Sequence, residues 1–109
     1  MIPLVYVDGY WIVTKKYLVT ILGYDIIVPE FFDTDLASVP RILWAIYPPF
    51  GRYMTAAIVH DYVCRKTDIP LRHCHYIFYL LMRRDGVDIF TRFMFYTFVS
   101  IFYRRRMLK

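Results

Sequence analysis

Three short stretches carry the side chains able to do chemistry: Thr34-Asp35-Leu36-Ala37-Ser38-Val39-Pro40, then Ala56-Ala57-Ile58-Val59-His60-Asp61-Tyr62, then His75. Asp35 and Asp61 are carboxylates, hard oxygen donors of the kind that suit calcium. His60 and His75 are polar rings set within apolar patterning, where burial without a partner is costly. A softer donor set competes with the carboxylates. His60 and Cys64 stand at i and i+4, so a helix puts them on one face, and His75 or Cys74 can complete a zinc site with them. Neither C-x-x-C nor H-E-x-x-H is present, so the zinc reading rests on spacing alone. Ser38 has no glycine-flanked elbow, which argues against a serine nucleophile.

The placement of these residues depends on two helices. Gly51 to Arg65 reads as the first, with Tyr53, Ala57, His60 and Cys64 on one face. A short turn over Lys66–Ile69 follows, with Asp68 as candidate N-cap and Pro70 in the first turn of the next helix. That helix spans about 70–84, with an apolar stripe of Leu71, Cys74, Phe78, Leu81 and Met82 and with Gly86 as its stop. So short a turn makes the helices antiparallel neighbours. Its centre lies between residues 67 and 68, and His60 precedes that centre by as much as His75 follows it. The two rings therefore sit at one height on faces that look at each other. A lone histidine in an apolar stripe is usually a satisfied core residue; a second one opposite shifts the balance toward a site. Asp61 points about 100° around the helix from His60 and is free to serve another partner, such as a cation. His73 falls off the stripe and is expected in solvent.

The rest of the chain is an α+β pattern, read as one domain over 1–109. Residues 10–29 are expected to form an antiparallel hairpin or small meander: Tyr10–Thr14, Tyr17–Leu22, a turn at Gly23-Tyr24-Asp25, and Ile26–Val28. Residues 30–50 form a long connection holding the TDLASVP motif and Pro40, Pro48 and Pro49, with a short helix expected near 41–46. The third helix spans about 87–103 and is apolar nearly all round, so it is either buried between neighbours or docked on a partner or bilayer surface. It is short and carries Arg92, which argues against a membrane span. Residues 104–109 form a basic tail with Arg104, Arg105, Arg106 and Lys109.

Composition bears on partners. Of 109 residues, 59% are hydrophobic and 20% aromatic, more rings than so small a domain hides from water. A large exposed apolar patch is expected. The formal charge of +5 and the basic tail suit lipid headgroups, phosphate or an acidic protein surface. No nucleic-acid-binding motif accompanies them, so nucleic acid is not an expected partner. Met1-Ile2-Pro3-Leu4 lacks the basic start of a secretory signal, and two cysteines make no disulfide framework, which points to synthesis in a reducing compartment.

The motifs Val28-Pro29, Phe32, Thr34-Asp35, Ala37-Ser38-Val39-Pro40-Arg41, Trp44, Pro48-Pro49, Gly51 and Ala56–Tyr62, with Arg72–Phe78 and Gly86-Val87, resemble a family of short uncharacterised bacteriophage proteins. Its pattern runs VP-x-GF-x-TD-x-ASVPR, then a Trp, then AA-x-x-HDY, and its genes often lie among those for tail and virion parts. The resemblance covers roughly residues 26–87. That pattern is in turn similar to secretory phospholipases of the A₂ class. The likeness implies Asp35, the Leu36 carbonyl and Asp61 as calcium ligands, His60 as general base, and His75 where those enzymes place an orienting aspartate. Cys64 stands where they carry a tyrosine, and Phe31 stands where the phage pattern has glycine.

The leading expectation is a virion or tail accessory protein, made in the host cytoplasm, that docks on other phage structural proteins or on itself through an aromatic surface. The alternatives are a calcium-dependent lipid esterase touching a membrane surface through residues 87–109, and a zinc-dependent peptidoglycan hydrolase using His60 and His75.

Overall fold

Runs of β-branched and aromatic residues make strands of the first third of the chain, and two left-handed turns fold them into hairpins. A computed structural model describes residues 2–34 and 52–102. The strands are β1 (Leu4–Val7), β2 (Tyr10–Val13), β3 (Tyr17–Ile21), β4 (Tyr24–Val28) and β5 (Asp33–Thr34). They form an antiparallel three-stranded sheet in the order β1-β2-β5 and a separate β3-β4 hairpin. The tight turns are Asp8-Gly9, with φ of 50° and 86°, and Leu22-Gly23, with φ of 53° and 79°. Positive φ at both central residues matches the twist of the flanking strands, so Val7 pairs with Tyr10 and Ile21 with Tyr24. Every second side chain then turns inward: Trp11 and Val13 from β2, Ile26 and Val28 from β4.

The N-terminal strands and helix hairpin fit the α+β expectation, with three differences in detail. β1 precedes the strands read from the sequence, and the Asp8-Gly9 pair was its signal. The second hairpin turns at Leu22-Gly23, one residue earlier than read. β5 lies inside the stretch taken as loop, where Trp11 pairs with Thr34.

Phe31 explains one departure from the phage pattern. Its φ is +70°, and its side chain is 72% exposed. The conformation is fixed by its neighbours: Phe31 N donates to the Val13 carbonyl at 2.7 Å, and Val13 N donates to the Phe32 carbonyl at 2.9 Å. A residue with a Cβ costs roughly 1–2 kcal/mol there, and glycine avoids that at a smaller entropic cost. Phe31→Gly should therefore raise the urea midpoint, gaining roughly 0.5–1 kcal/mol. An unchanged or lower midpoint would show that the exposed ring contributes more than the strain removes.

Three helices follow: α1 (Met54–Lys66), α2 (Leu71–Arg84) and α3 (Ile89–Phe102). α1 is the central one. Its sequence is apolar on nearly all sides, and ten of its residues, from Met54 to Cys64, are buried. α2 packs against it through Cys74, His75, Ile77, Phe78, Leu81 and Met82. α2 ends as its glycine foretold: Gly86 adopts φ +82°, Val87 N reaches the Met82 carbonyl at 2.9 Å and Gly86 N the Arg83 carbonyl at 3.2 Å. Asp68 does not cap α2, whose N-cap residue is Pro70. The capping aspartate is Asp88 at α3, whose carboxylate accepts from Thr91 N at 3.0 Å and Thr91 Oγ1 at 2.6 Å.

A candidate histidine and cysteine centre between two helices

The short link between α1 and α2 brings His60 and His75 face to face, as the spacing requires. His60 Nε2 lies 2.9 Å from His75 Nδ1, and Cys64 Sγ lies 3.4 Å from the same His60 nitrogen. Each residue offers one donor atom, and the three atoms all lie within 4.8 Å of one another. His60 and Cys64 are fully buried and His75 is 5% exposed. Phe78, one turn beyond His75 on α2, stacks on the His60 ring with centroids 4.8 Å apart and planes 24° apart. A stacked phenylalanine on one side and a hydrogen-bonded ring at the edge fix the orientation of His60.

Burial disfavours the imidazolium here, and His75 next to it adds to the effect. Together they push His60 down to about 3 from its usual 6.5. At physiological pH His60 is therefore neutral, and the 2.9 Å contact of its Nε2 with His75 Nδ1 is a hydrogen bond in which one ring donates and the other accepts. A neutral nitrogen and a thiol in a dry setting suit a borderline-soft metal, and the donors gathered here are two nitrogens and a sulfur. That set fits zinc better than calcium.

The carboxylates are placed differently. Asp61 is buried on the adjoining side of α1, and the cation it serves is Arg65, whose Nη1 donates to Asp61 Oδ2 at 2.9 Å. An acid followed four residues later by an arginine is the sequence signal for that pair, and the reading above missed it. Asp35, the Leu36 carbonyl, Ser38 and the short helix expected near 41–46 lie outside the described residues, as does the basic tail. His73 is half-buried rather than solvated, because Tyr24 Oη meets its Nδ1 at 2.8 Å and ties β4 to α2. Cys74 is turned to the Ile69 carbonyl, 3.4 Å from its Sγ, and neither cysteine is in a disulfide.

The family described as "Protein of unknown function (DUF1353)" matches residues 11–99, which takes in the β2–β5 strands, α1, α2 and most of α3. The chain belongs to that family. It is also similar to "Uncharacterized protein y4jT" of Sinorhizobium fredii (strain NBRC 101917 / NGR234), with 39% identity over 62 residues. That stretch is 55% of this chain but only 18% of the relative, so the chain spans a small part of the length of the protein it matches. No solved structure matches.

The DUF1353 region carries a second feature, on α3. One side of this helix packs inward through Thr91, Phe95 and Val99. Phe95 meets Tyr53 and Phe78, with centroids 5.0 and 6.2 Å away. The opposite side is apolar too, and open. Ile89, Phe90, Phe93 and Ile101 are 68%, 70%, 65% and 46% exposed. Phe90, Phe93, Met94, Thr97, Phe98 and Ile101 line a cleft of about 370 Å³. The expectation of a buried third helix holds for one side only, and the other side is exposed. At 14 residues α3 is about 21 Å long, short of a bilayer core, and no described helix is long and apolar enough to cross a membrane.

Proposed function

We propose that this DUF1353 chain is a bacteriophage accessory protein of the virion or tail, docking on a neighbouring phage structural protein through the outward face of α3. The phage assignment rests on the TD-x-ASVPR and AA-x-x-HDY motifs. The docking role rests on one observation: α3 carries a second apolar stripe whose Phe90, Phe93 and Ile101 are 70%, 65% and 46% exposed. Its residues fall at 90, 93–94, 97 and 101, the repeat of a helical seam, and they line a concave cleft. A concave apolar cleft at helical spacing suits a protein partner's apolar segment, bound with side chains in the groove. An exposed patch of this kind is rare on a solitary soluble chain.

Two measurements test this. Mass spectrometry of purified particles of the encoding phage should find the chain as a stoichiometric component. Phe90→Ser with Phe93→Ser should remove it from particles while changing folding stability by no more than about 0.5 kcal/mol, because both rings are exposed. A chain that is monomeric in solution and absent from particles overturns the reading. Retention of the double variant in particles overturns the α3 face as the docking surface. Binding of the chain to anionic vesicles, lost in the same variant, would transfer the face to lipid.

A further inference from the structure

We propose that His60, Cys64 and His75 hold one zinc ion between α1 and α2, through Nε2 of His60, Sγ of Cys64 and Nδ1 of His75. The three donor atoms are already gathered within 4.8 Å of one another. Tetrahedral zinc with bonds of about 2.05 Å to nitrogen and 2.3 Å to sulfur places its ligand atoms about 3.3 Å apart for two nitrogens and about 3.6 Å for nitrogen and sulfur. Two of the three separations here are 2.9 Å, between the two ring nitrogens, and 3.4 Å, between His60 Nε2 and Cys64 Sγ. The two His60 pairs must open by a few tenths of an ångström, through side-chain adjustment, to admit the ion. His60 and Cys64 occupy successive turns of one helix and His75 faces them from the other.

The protons balance simply. Both rings bind as neutral tautomers, with hydrogen on His60 Nδ1 and His75 Nε2 and the other lone pairs turned to the ion. The bond between Nε2 and Nδ1 is given up. The Cys64 thiol loses its proton to solvent, so the site takes a dication and releases one proton. Its net charge is then +1. Among the described residues these three donors fill three positions of a tetrahedral zinc, and the fourth takes a further ligand. Phe78, stacked on His60, excludes water from one side and holds the ring in its ligating orientation. Cys74 is not a donor, because its sulfur is directed at the Ile69 carbonyl.

The probe is the metal itself. Chelator-treated protein is titrated with Zn²⁺ against a chromophoric competitor, and in parallel with Co²⁺, whose bond to a thiolate gives a sulfur-to-cobalt charge-transfer band. The expected result is one ion per chain, a charge-transfer band, and a thermal midpoint raised by zinc. Cys64→Ser should lose the band, and Cys74→Ser should keep it. His75→Gln should weaken binding by more than the roughly 10- to 100-fold typical of outer contacts. The wild-type titration does not depend on the variants folding. Failure of wild-type protein to take up either ion at equimolar dose overturns the proposal, as does a cobalt band that persists in Cys64→Ser. The readout is independent of docking through α3, so loss of particle association leaves it standing.

Discussion

Lowering the pH of the metal-free protein from 6.5 to 5 should cost it roughly 2 kcal/mol of folding stability through His60 alone. The folded chain holds this ring at about 3, whereas an unfolded chain leaves it near 6.5. Below 6.5 the unfolded state therefore binds a proton that the folded state refuses. Stability from the neutral ring is complete above 6.5, falls by about 1.4 kcal/mol per pH unit as the solution is acidified, and is exhausted near pH 3. The direction follows from burial first and from His75 second. His75 on α2 and Cys64 on α1 are titratable groups that meet the ring. Urea unfolding at pH 7.5, 6 and 5 measures the effect. His60→Gln removes the titrating group, so its stability, lower at neutral pH, should fall less steeply below pH 6.5. Parallel slopes for the two proteins would mean that the ring titrates near its ordinary value and that the site is wet. A zinc-loaded chain should hold its stability further into acid, since protons must first displace the metal.

The same ring bears on catalysis. A general base works best when its pKa lies near the operating pH. His60 lies far below it, and a ring nitrogen of His75 is 2.9 Å from its own. The arrangement is better matched to holding a metal or filling a core than to accepting a proton from water.

The hairpin geometry was legible because it depends on counting. Equal distances of His60 and His75 from a short turn fix their heights, and helical period fixes their faces, so a 2.9 Å contact could be anticipated from spacing. Gly86 was legible for a similar reason: a helix end needing a left-handed residue names its own amino acid. Other features were hidden because they depend on partners distant in the chain. The bond between Tyr24 and His73 spans 49 positions, and nothing local in α2 tells a half-buried histidine from a solvated one. The short strand β5 has two residues and no periodicity to show; only pairing with Trp11 and Ile12 of β2 makes it a strand. The Asp8-Gly9 turn was present in the sequence and was missed because the strand before it has only four residues. Phe31 was noted as a departure, but its meaning required the backbone angle.

Arg65 is the residue whose loss should cost most for the least change in volume. Asp61 is buried, with its side chain 4% exposed, and its Oδ2 accepts from Arg65 Nη1 at 2.9 Å. The same nitrogen donates to the Asp33 carbonyl at 3.2 Å, and the guanidinium carbon lies 5.5 Å from the centre of the Phe32 ring. One side chain thus ties α1 to the strand from which the Thr34-Asp35 motif departs. Arg65→Met keeps much of the apolar stem but leaves the Asp61 carboxylate buried without its counter-charge, a loss of roughly 3–5 kcal/mol. The side chain of Arg65 is itself 16% exposed, so water reaches the pair and the lower end of that range applies. Asp61→Asn should cost less, because Arg65 then still reaches solvent, the Asp33 carbonyl and Phe32. The double variant decides between charge and packing. If the uncompensated carboxylate is the cause, Asp61→Asn in the Arg65→Met background should recover a substantial part of the loss, giving a coupling of about 1–3 kcal/mol in a double-mutant cycle. If the two losses simply add, Arg65 acts through its contacts with β5 and Phe32, and the ion pair contributes little to holding β5 against α1.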